Sequence, residues 1–553
     1  MKWKVVFART TYTEDTRSQS INFPIDRNNP CIICQTPEEI VLKNVKSKNR
    51  INLLPYVYGG LSGEKANTTF SYGKPEGTVG LSGLFDLNSM TSLEFALNPD
   101  FSQVEADVSQ VTANTTFALF FPERRPYFNE GNEIINSNLN TVYTRTINDP
   151  LASIKLIHQG DKQRVYWLAA YDQSSPILIA GENGSTTGEG GKALSNIFSY
   201  QRTFKKGSYI GLLSTNRVFE GGGNGHVFGL NGLLRFAELY TLNFEFNKSL
   251  SVEPNADWIE GDEIIRGKSI LLDGEKKQGD ASLVSLKRNT RNWNTTLSYL
   301  QYSPNYNATL GFVTQNSIRN IEFNHSFTYF PKKKEGLVQQ LNVSLGSEFI
   351  FNYNQLRKYF DIYNDLFIQW KGNFRTGLNI YHVVNEEFAG FFGRNMTVIN
   401  FFNGYNPSEK INIRAFVSFN ESIRYDEDKP AVGNALFFGT FNNFQLSPKL
   451  SLNPSIRYSE LRSKEDRNLY FKGYIGRVNI NFQFNKNLSF RLIGEYNDFD
   501  QVFFIQPLLK WNPNPFTIFY IGGTNGYSRV EPTTNFGRED SQLYFKFQYL
   551  FDL

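Results

Sequence analysis

The feature of this sequence that most constrains its fold is a strict two-residue alternation of apolar and polar side chains, repeated along most of the chain. Between Lys410 and Asn420, one face carries the apolar residues Ile411, Ile413, Ala415, Val417 and Phe419. Alternation of this kind indicates β-strands, and runs of about 9–12 residues are long enough for tilted strands to cross a bilayer. A soluble β-sandwich or propeller also alternates, but its strands are commonly about 5–6 residues long. The pattern therefore predicts an all-β chain folded as a large transmembrane antiparallel β-barrel, with this apolar set facing lipid and Arg414 facing the lumen.

The links between the alternating runs fall into two classes. Short polar links, from Gln159–Lys162 to Asn512–Pro515, alternate with longer segments such as Asp172–Lys192 and Ser249–Gln278. Outer-membrane barrels have this asymmetry, with short periplasmic turns and longer extracellular loops. One hairpin for each short link, an opening strand near Leu139–Ile147 and a closing strand at the C-terminus predict about 20–22 strands.

The composition agrees with a barrel in the bacterial outer membrane. Aromatic residues make up 15% of the chain, with 50 Phe and 29 Tyr, while the mean hydropathy is only -0.40. Strands with one lipid-facing side and one polar side have this mixture. No run of apolar residues is long enough for a transmembrane helix, so a closed barrel is the remaining way to cross the membrane. The net charge of +4 gives no indication of nucleic acid binding.

The last residues of the chain form an alternating strand rich in aromatic side chains. One face carries Phe545, Phe547, Tyr549, Phe551 and Leu553. An ordinary edge strand is the alternative, but a strand this apolar would aggregate if it lay exposed in water. We therefore expect these residues to be the signal that the barrel-assembly machinery recognises, and we expect outer-membrane lipid around the finished barrel.

The N-terminal region carries two further predictions. The first residues, MKWKVVFARTTYTED, lack the apolar core and cleavage site of a signal peptide, so we expect that the natural start of the chain lies upstream. Cys31 and Cys34 are candidates for a local disulfide, because the periplasm is oxidising. A redox-active pair would need a thioredoxin-like context, and the Pro- and Asn-rich surroundings do not provide it.

Residues 51–138 depart from the regular alternation and are expected to form a plug or rim segment. They contain a charged cluster of Asp100, Glu105, Asp107, Glu123, Arg124, Arg125 and Glu130, which we take as the candidate ligand or gate site. A buried network of arginines and carboxylates, a calcium site at Asp100, Glu105 and Asp107, and catalysis by paired carboxylates are the three alternatives. Prolines at 122 and 126 exclude an ordinary central strand, so Phe120 to Gly131 should pack inside the barrel or against its rim.

Four stretches carry a resemblance to a known family. They are LNPDFSQVEADVSQV at Leu97–Val111, FFPERRPYFNEGNEI at Phe120–Ile134, VYTRTI at Val142–Ile147 and LGFVTQ at Leu310–Gln315. With these stretches the sequence resembles, over roughly residues 20–553, the bacterial outer-membrane proteins of the domain of unknown function DUF5916. In that family a β-sandwich similar to carbohydrate-binding family 9 usually precedes the barrel, and residues 1–50 resemble a remnant of it and a linker.

The domain organisation and function follow as hypotheses. Residues 1–50 are the remnant, residues 51–138 the plug or rim and residues 139–553 the barrel. The leading hypothesis is an outer-membrane barrel that binds or passes a solute, with an oligosaccharide as one option and no cofactor. A barrel that anchors surface or envelope assembly, and an enzyme that acts on envelope glycans, are the alternatives. A TonB-dependent transporter is a further rival, although no energy-coupling box is evident near the start.

Overall fold

The protein folds into one closed antiparallel β-barrel. The computed structural model describes residues 2–12, 17–25, 35–36, 39–41, 49–66, 69–99, 101, 107–256, 264–265, 268–269, 271–332, 336–529 and 535–553. In these residues the barrel has 24 strands, each paired with its neighbours in the chain, and the last strand pairs with the first. The all-β fold that the alternation predicts is therefore confirmed.

The strands are numbered in chain order. They are β1 Ile51–Ala66, β2 Glu76–Asn88, β3 Thr91–Leu97, β4 Pro150–Gln159, β5 Gln163–Asp172, β6 Ala193–Thr203, β7 Tyr209–Phe219, β8 Asn224–Phe236, β9 Tyr240–Val252, β10 Lys276–Asn289, β11 Trp293–Tyr302 and β12 Ile318–Tyr329. The second half comprises β13 Val338–Asn352, β14 Arg357–Trp370, β15 Phe374–Phe388, β16 Phe391–Ser408, β17 Ile411–Arg424, β18 Ala431–Ser447, β19 Leu450–Ser463, β20 Leu469–Asn485, β21 Leu488–Asn497, β22 Val502–Asn514, β23 Thr517–Ser528 and β24 Gly537–Tyr549. Two short pieces, Thr69–Tyr72 and Phe551–Asp552, also pair with β1.

The barrel begins earlier in the chain than the sequence predicts. Strands β1 to β3 belong to the wall, so the wall begins at Ile51 rather than at residue 139, and it has 24 strands where the sequence predicts about 20–22. The predicted opening strand at Leu139–Ile147 is not a strand either, since it contains a 3-10 turn at Thr144–Thr146. Leu139 and Ile147, the apolar ends of this stretch, are fully buried within the barrel. The stretch is therefore apolar because it packs inside the lumen, and not because it faces lipid as a strand of the wall.

The two faces of the wall agree with the predicted alternation. In β17, Ile411, Ile413 and Phe419 are exposed on the outer face. The opposite face is luminal, because Phe416, Gly439 and Arg457 are aligned across β17, β18 and β19, and Arg457 contacts a segment inside the barrel. Arg414 shares the face of Phe416, so its predicted luminal position is confirmed.

Exposed aromatic side chains form a belt at the end of the barrel with the short turns. They are Phe204, Phe236, Trp293, Tyr329, Phe374, Tyr405, Phe484, Trp511, Phe516 and Tyr549. Aromatic girdles of this kind lie at the interface between lipid and water, as expected of a barrel in the outer membrane. Short turns lie on the periplasmic side of such barrels, so this end is the periplasmic one. Among the described residues, no helix is long and apolar enough to span a membrane.

The C-terminal strand closes the sheet. Phe547 pairs with Val57 of β1, and after an interruption at Leu550 the pairing continues from Phe551 to Leu53. Along this strand Phe545, Tyr549, Phe551 and Leu553 are exposed, whereas Tyr544, Lys546 and Gln548 are buried on the luminal side. Phe551 and Leu553 therefore face outward, and their role as an assembly signal stays a prediction.

The N-terminal residues form two small strand pairs that do not join the barrel sheet. Lys2–Lys4 pairs with Glu39–Val41, and Ala8–Tyr12 pairs with Arg17–Ile21. The interpretation of residues 1–50 as the remnant of a β-sandwich stays a prediction.

Candidate functional site

The lumen contains residues 107–149, which we call the luminal segment. Two short helices, α1 Pro126–Asn129 and α2 Asn132–Ile135, carry its apolar side chains. Phe128, Ile134, Ile135 and Ile147 pack against Ile157, Tyr166, Leu168 and Ile197 on the luminal face of β4, β5 and β6. Since these side chains are almost fully buried, this part of the luminal segment is fixed to the wall by hydrophobic contacts.

Gly131 allows the luminal segment to approach the wall closely. It has a φ of 77°, a left-handed conformation that favours glycine. A Cβ atom at this position would lie 2.7 Å from the Ile157 side chain and 3.2 Å from Tyr166. Both backbone conformation and space therefore require glycine in the Asn-Glu-Gly part of the motif.

Glu123 and Arg125 form a two-pronged ion pair at the centre of the motif. Arg125 Nε lies 2.9 Å from Glu123 Oε1, and Arg125 Nη2 lies 2.7 Å from Oε2. The same guanidinium donates to the carbonyls of Ile147 at 2.7 Å and Thr144 at 3.0 Å. Burial alone would raise the pKa of Glu123, but Arg125 and the hydrogen bonds from the backbone and Thr144 hold it below its usual value. The predicted pairing of this arginine with a carboxylate is confirmed.

Asp107 joins two parts of the luminal segment to each other and to the wall. Its carboxylate lies 2.5 Å from Arg145 Nη2 and 3.4 Å from Arg124 Nε. Its carbonyl accepts a hydrogen bond of 3.1 Å from Arg477 on β20, which also pairs with Glu495 on β21 at 2.9 Å. Two guanidinium groups therefore compensate the Asp107 carboxylate, as in the predicted arginine–carboxylate network.

The luminal segment reaches two distant parts of the wall. On the side of β17 and β19, Asn114 binds the Ile423 carbonyl at 2.9 Å and the Tyr425 amide at 2.8 Å, and Ser109 accepts from Arg457 at 3.3 Å. On the other side, Ser137 and Asn138 bind Glu245 of β9 at 2.5 and 2.8 Å. Seven strands lie between β4 and β20 around one side of the barrel and fifteen around the other, so the segment crosses the lumen.

Two other elements fold inward and contact the luminal segment. They are the hairpin of Pro176–Ala180 and Ser185–Glu189, and the loop 303–317 between β11 and β12. The buried Arg217 of β7 connects all three, since it donates to the carbonyls of Thr146, Pro176 and Thr309. Gly311 of the LGFVTQ motif approaches the segment so closely that a Cβ atom would lie 2.5 Å from the Asn140 carbonyl oxygen.

A cavity of about 410 Å³ lies between the luminal segment and the extracellular ends of β14, β15 and β17. Residues 114–119 of the segment form one side of it. The wall contributes Glu386, whose carboxylate accepts a hydrogen bond of 2.5 Å from Tyr425, and Glu387, which pairs with Lys358. Burial and the neighbouring Glu386 raise the pKa of Tyr425, so its hydroxyl is a donor at neutral pH. The lining combines carboxylates, amides and aromatic rings.

The structure brings together four of the seven predicted site residues. Asp107, Glu123, Arg124 and Arg125 form the contacts described above, whereas Glu130 is exposed at the surface of the segment. Asp100 and Glu105 lie outside the described residues, so the predicted calcium site at Asp100, Glu105 and Asp107 stays a prediction. The disulfide candidates Cys31 and Cys34 also lie outside the described residues.

Several residues that hold the luminal segment were not predicted. Arg217, Glu245 and Arg477 contact it from the wall, and Arg145 joins its end to Asp107. Asn114 of the segment binds residues more than 300 positions away in the chain. The one available signal was a charged residue on the polar face of an alternating strand, as for Arg217 and Arg477. That signal shows that the side chain faces the lumen, but it does not show which residue of the luminal segment the side chain contacts.

The fold was compared with known proteins. No curated protein matches the sequence. Among solved structures, the copper transporter OprC is 9% identical, with 72% of this chain and 77% of that chain covered and a TM-score of 0.48. The siderophore receptors PirA from Acinetobacter baumannii and from Pseudomonas aeruginosa are 8% and 12% identical, each with 92% of this chain and 81% of that chain covered and a TM-score of 0.43.

The sequence was also compared with models of protein families. Residues 47–165 match the model described as domain of unknown function (DUF5916). This range includes three of the four stretches that carry the resemblance, at Leu97–Val111, Phe120–Ile134 and Val142–Ile147. The resemblance of this chain to the DUF5916 family is thereby confirmed.

Proposed function

We propose that this outer-membrane barrel binds a small solute at its extracellular side and passes it to the periplasm, with the luminal segment as the gate. The observation that carries the proposal is that residues 107–149 cross the lumen and contact two distant parts of the wall. A barrel that serves only as a membrane anchor has no need for a polar segment of this kind. Transport of a solute requires that the segment can be displaced.

The contacts on the two sides of the lumen differ in kind, and this difference supports a gate. On the side of β4 to β6 the segment is held by a buried apolar cluster around Phe128 and Ile134. On the side of β17 to β20 it is held by hydrogen bonds from Asn114, Arg457 and Arg477. A typical hydrogen bond contributes about 0.5–1.5 kcal/mol, so the polar side is the easier one to release. Opening would then move residues 107–122 away from β17 to β20, while residues 123–149 stay in place.

A permeability assay of the Asn114→Ala variant tests the gate. The change removes both hydrogen bonds between Asn114 and the end of β17. Liposomes that contain the variant should swell faster in small sugars than liposomes with the unaltered protein. Asn443→Ala is the control, because Asn443 is bonded to Asn453 of the wall rather than to the luminal segment. Equal swelling rates for all three proteins would contradict a gate at this contact.

An oligosaccharide is the solute that the cavity favours. Aromatic rings such as Tyr359 and Phe388 can stack on sugar rings, and Glu386 and Asn183 can bind hydroxyl groups. Calorimetric titration of the purified barrel with neutral malto-, cello- and xylo-oligosaccharides tests this. Tyr425→Phe removes the hydroxyl that binds Glu386 and should weaken binding. If no oligosaccharide binds while the Asn114→Ala variant still opens the lumen, the gate stands and the sugar proposal fails.

A further inference from the structure

A track of phenylalanine rings runs along the luminal face of the wall in the periplasmic half of the barrel. Strand pairing brings together one ring from each of β14, β16, β17 and β18, namely Phe367, Phe402, Phe416 and Phe441. The rings of Phe367 and Phe402 are stacked with their centroids 6.4 Å apart, and those of Phe416 and Phe441 with their centroids 6.2 Å apart. Each ring is partly exposed. Since the lumen of such a barrel is polar, a row of exposed luminal rings indicates a binding surface.

Two glycines leave room for these rings against the wall. Gly377 is paired with Phe402, and a Cβ atom at this glycine would overlap the Phe402 ring. Gly439 is paired with Phe416 in the same way, and a Cβ atom there would overlap the Phe416 ring. The two rings therefore lie across the backbone of a neighbouring strand, and no side chain at the glycine competes for this space.

A cavity of about 320 Å³ lies between this track and the luminal segment. Val111 of the segment lines one side, and the wall side includes Phe402, Phe416 and Arg457. Arg457 also donates a hydrogen bond of 3.3 Å to the Ser109 carbonyl. Ser109 and Val111 belong to residues 107–122, the part of the luminal segment that opening would move. Opening would therefore uncover the track.

Two arginines lie beside the track on its periplasmic side. Arg375 of β15 and Arg414 of β17 are both paired with Gly404 of β16, so a position without a side chain separates them. Because neighbouring strands lie about 4.8 Å apart, the backbones of the two arginines are roughly 10 Å apart. Among the described residues, their guanidinium groups donate to neutral side-chain oxygens, of Gln369 at 2.8 Å and of Asn412 at 3.2 Å.

The charge of this part of the wall has a single sign. Strand pairing aligns Asn379, Asn400, Ser418 and Ser459 in one row across the lumen wall. Between this row and the periplasmic turns, strands β15 to β19 contain arginines and no acidic residue. A guanidinium that is not paired with a carboxylate of the protein can bind one from a solute through two parallel hydrogen bonds. Aromatic rings with a few fixed polar groups beside them are typical of a ligand site.

We propose that the track binds an acidic oligosaccharide, whose sugar rings stack on the phenylalanines while a carboxylate binds Arg375 and Arg414. This rests on the proposed passage of a solute through the lumen, and it names the chemical class of that solute. The extracellular cavity receives the oligosaccharide, and the track holds it on the periplasmic side of the luminal segment. Sugars with free carboxylates are therefore preferred over neutral sugars of the same shape.

Calorimetric titration of the purified full chain in detergent tests the site with two matched ligands. Oligogalacturonate and its methyl ester have the same sugar rings, and only the first is charged. The acid should bind about tenfold more tightly than the ester, which is the effect of roughly one hydrogen bond to a charged group. Arg414→Gln should abolish this preference for the acid. Lys287→Gln is the matched control, because Lys287 is a luminal cation on β10, away from the track, and it should keep the preference.

The rings are tested by a second variant. Phe416→Ala removes a stacking surface and no charge, so it should weaken the binding of the acid and of the ester alike. Unchanged binding of both ligands by Phe416→Ala would contradict the stacking. Heat-modifiable migration shows that each variant is assembled before it is titrated.

Three results would overturn the site as a whole. They are equal affinity for the acid and the ester, a preference for the acid that Arg414→Gln retains, and no binding of the acid by either the unaltered protein or Asn114→Ala. Liposome swelling of Asn114→Ala tests the gate separately. Faster swelling without a preference for the acid leaves the gate and removes the site, whereas a preference for the acid without faster swelling leaves the site and removes the gate.

Discussion

Arg125 is the residue on which most of the family motif converges. Its side chain is 12% exposed and that of Glu123 is 6% exposed, and the guanidinium also lies 4.2 Å from the centroid of Phe128. The pair has its remaining hydrogen-bonding groups satisfied by Thr144 and by backbone carbonyls. A buried ion pair stabilises a protein only when its other hydrogen bonds are made in this way. Arg125 thus joins the middle of the luminal segment to its end near Ile147.

Substitution of Arg125 by alanine should loosen the luminal segment. Removal of one partner of a buried pair costs about 3–5 kcal/mol, because the other charge is left without compensation. Hydrogen exchange of the amides between Thr144 and Asn148 should become faster by a corresponding factor. Arg50→Ala is the control, since Arg50 pairs with Asp86 at the surface and such exposed pairs contribute about 0–1 kcal/mol. Equal and small effects of both substitutions would contradict the role given to Arg125.

The lowered pKa of Glu123 predicts an acid dependence. A carboxyl group whose pKa is lower in the folded state stabilises that state above its unfolded pKa of about 4.3, and the contribution is lost as the pH falls through the folded pKa. The luminal segment should therefore stay closed at neutral pH and exchange faster only in acid. In Glu123→Gln this part of the acid dependence should vanish. If the acid transition is identical in Glu123→Gln and in the unaltered protein, the transition is caused by groups other than Glu123.

At the scale of elements, the wall strands after residue 150 could be predicted and the contents of the lumen could not. Alternation and short polar links identify each turn from Gln159–Lys162 onward, because lipid on one side and a polar lumen on the other impose the pattern on every strand. Strand β1 has glycines at 59, 60 and 63, and β3 has only 7 residues, so both lack a clear pattern. In the lumen, Pro122 and Pro126 predict an irregular packed segment, but the partners of Asn114 lie 309 and 311 residues away. No local pattern encodes such contacts.

The C-terminal strand gives a prediction at the same scale. Deletion of Tyr549 to Leu553 removes the pairing of Phe551 with Leu53 and the hydrogen bond from Leu553 to Ile51. The start of β1 would then be an unpaired edge in the membrane, where a missing hydrogen bond is very costly. We expect synthesis without assembly, seen as the loss of heat-modifiable migration in outer membranes. Asp552→Asn keeps all backbone pairs and should assemble. A truncated protein that migrates as the full chain does would contradict this account.

At the scale of the whole molecule, the barrel is complete without the luminal segment. Leu97 of β3 pairs with Ala152 of β4, and the Asn98 amide donates to the Leu151 carbonyl at 2.7 Å. The two strands are therefore already antiparallel neighbours, and the 50 or so residues between them are an insertion into one hairpin. The wall therefore forms the part of the chain that spans the membrane, and the insertion lies within the lumen.

This arrangement allows the luminal segment to be removed without cutting the wall. Residues 99–150, which include Pro150 at the very start of β4 and no other wall residue, can be replaced by an Asn-Gly turn, a favoured two-residue connection between antiparallel strands. Heat-modifiable migration would verify that the shortened barrel is assembled. Single-channel conductance in planar bilayers is then the most direct measurement of whether the segment closes the lumen. The account predicts low or transient conductance for the full chain and a large, steady conductance for the shortened barrel. Equal conductance of the two assembled proteins would contradict the claim that the luminal segment is the gate.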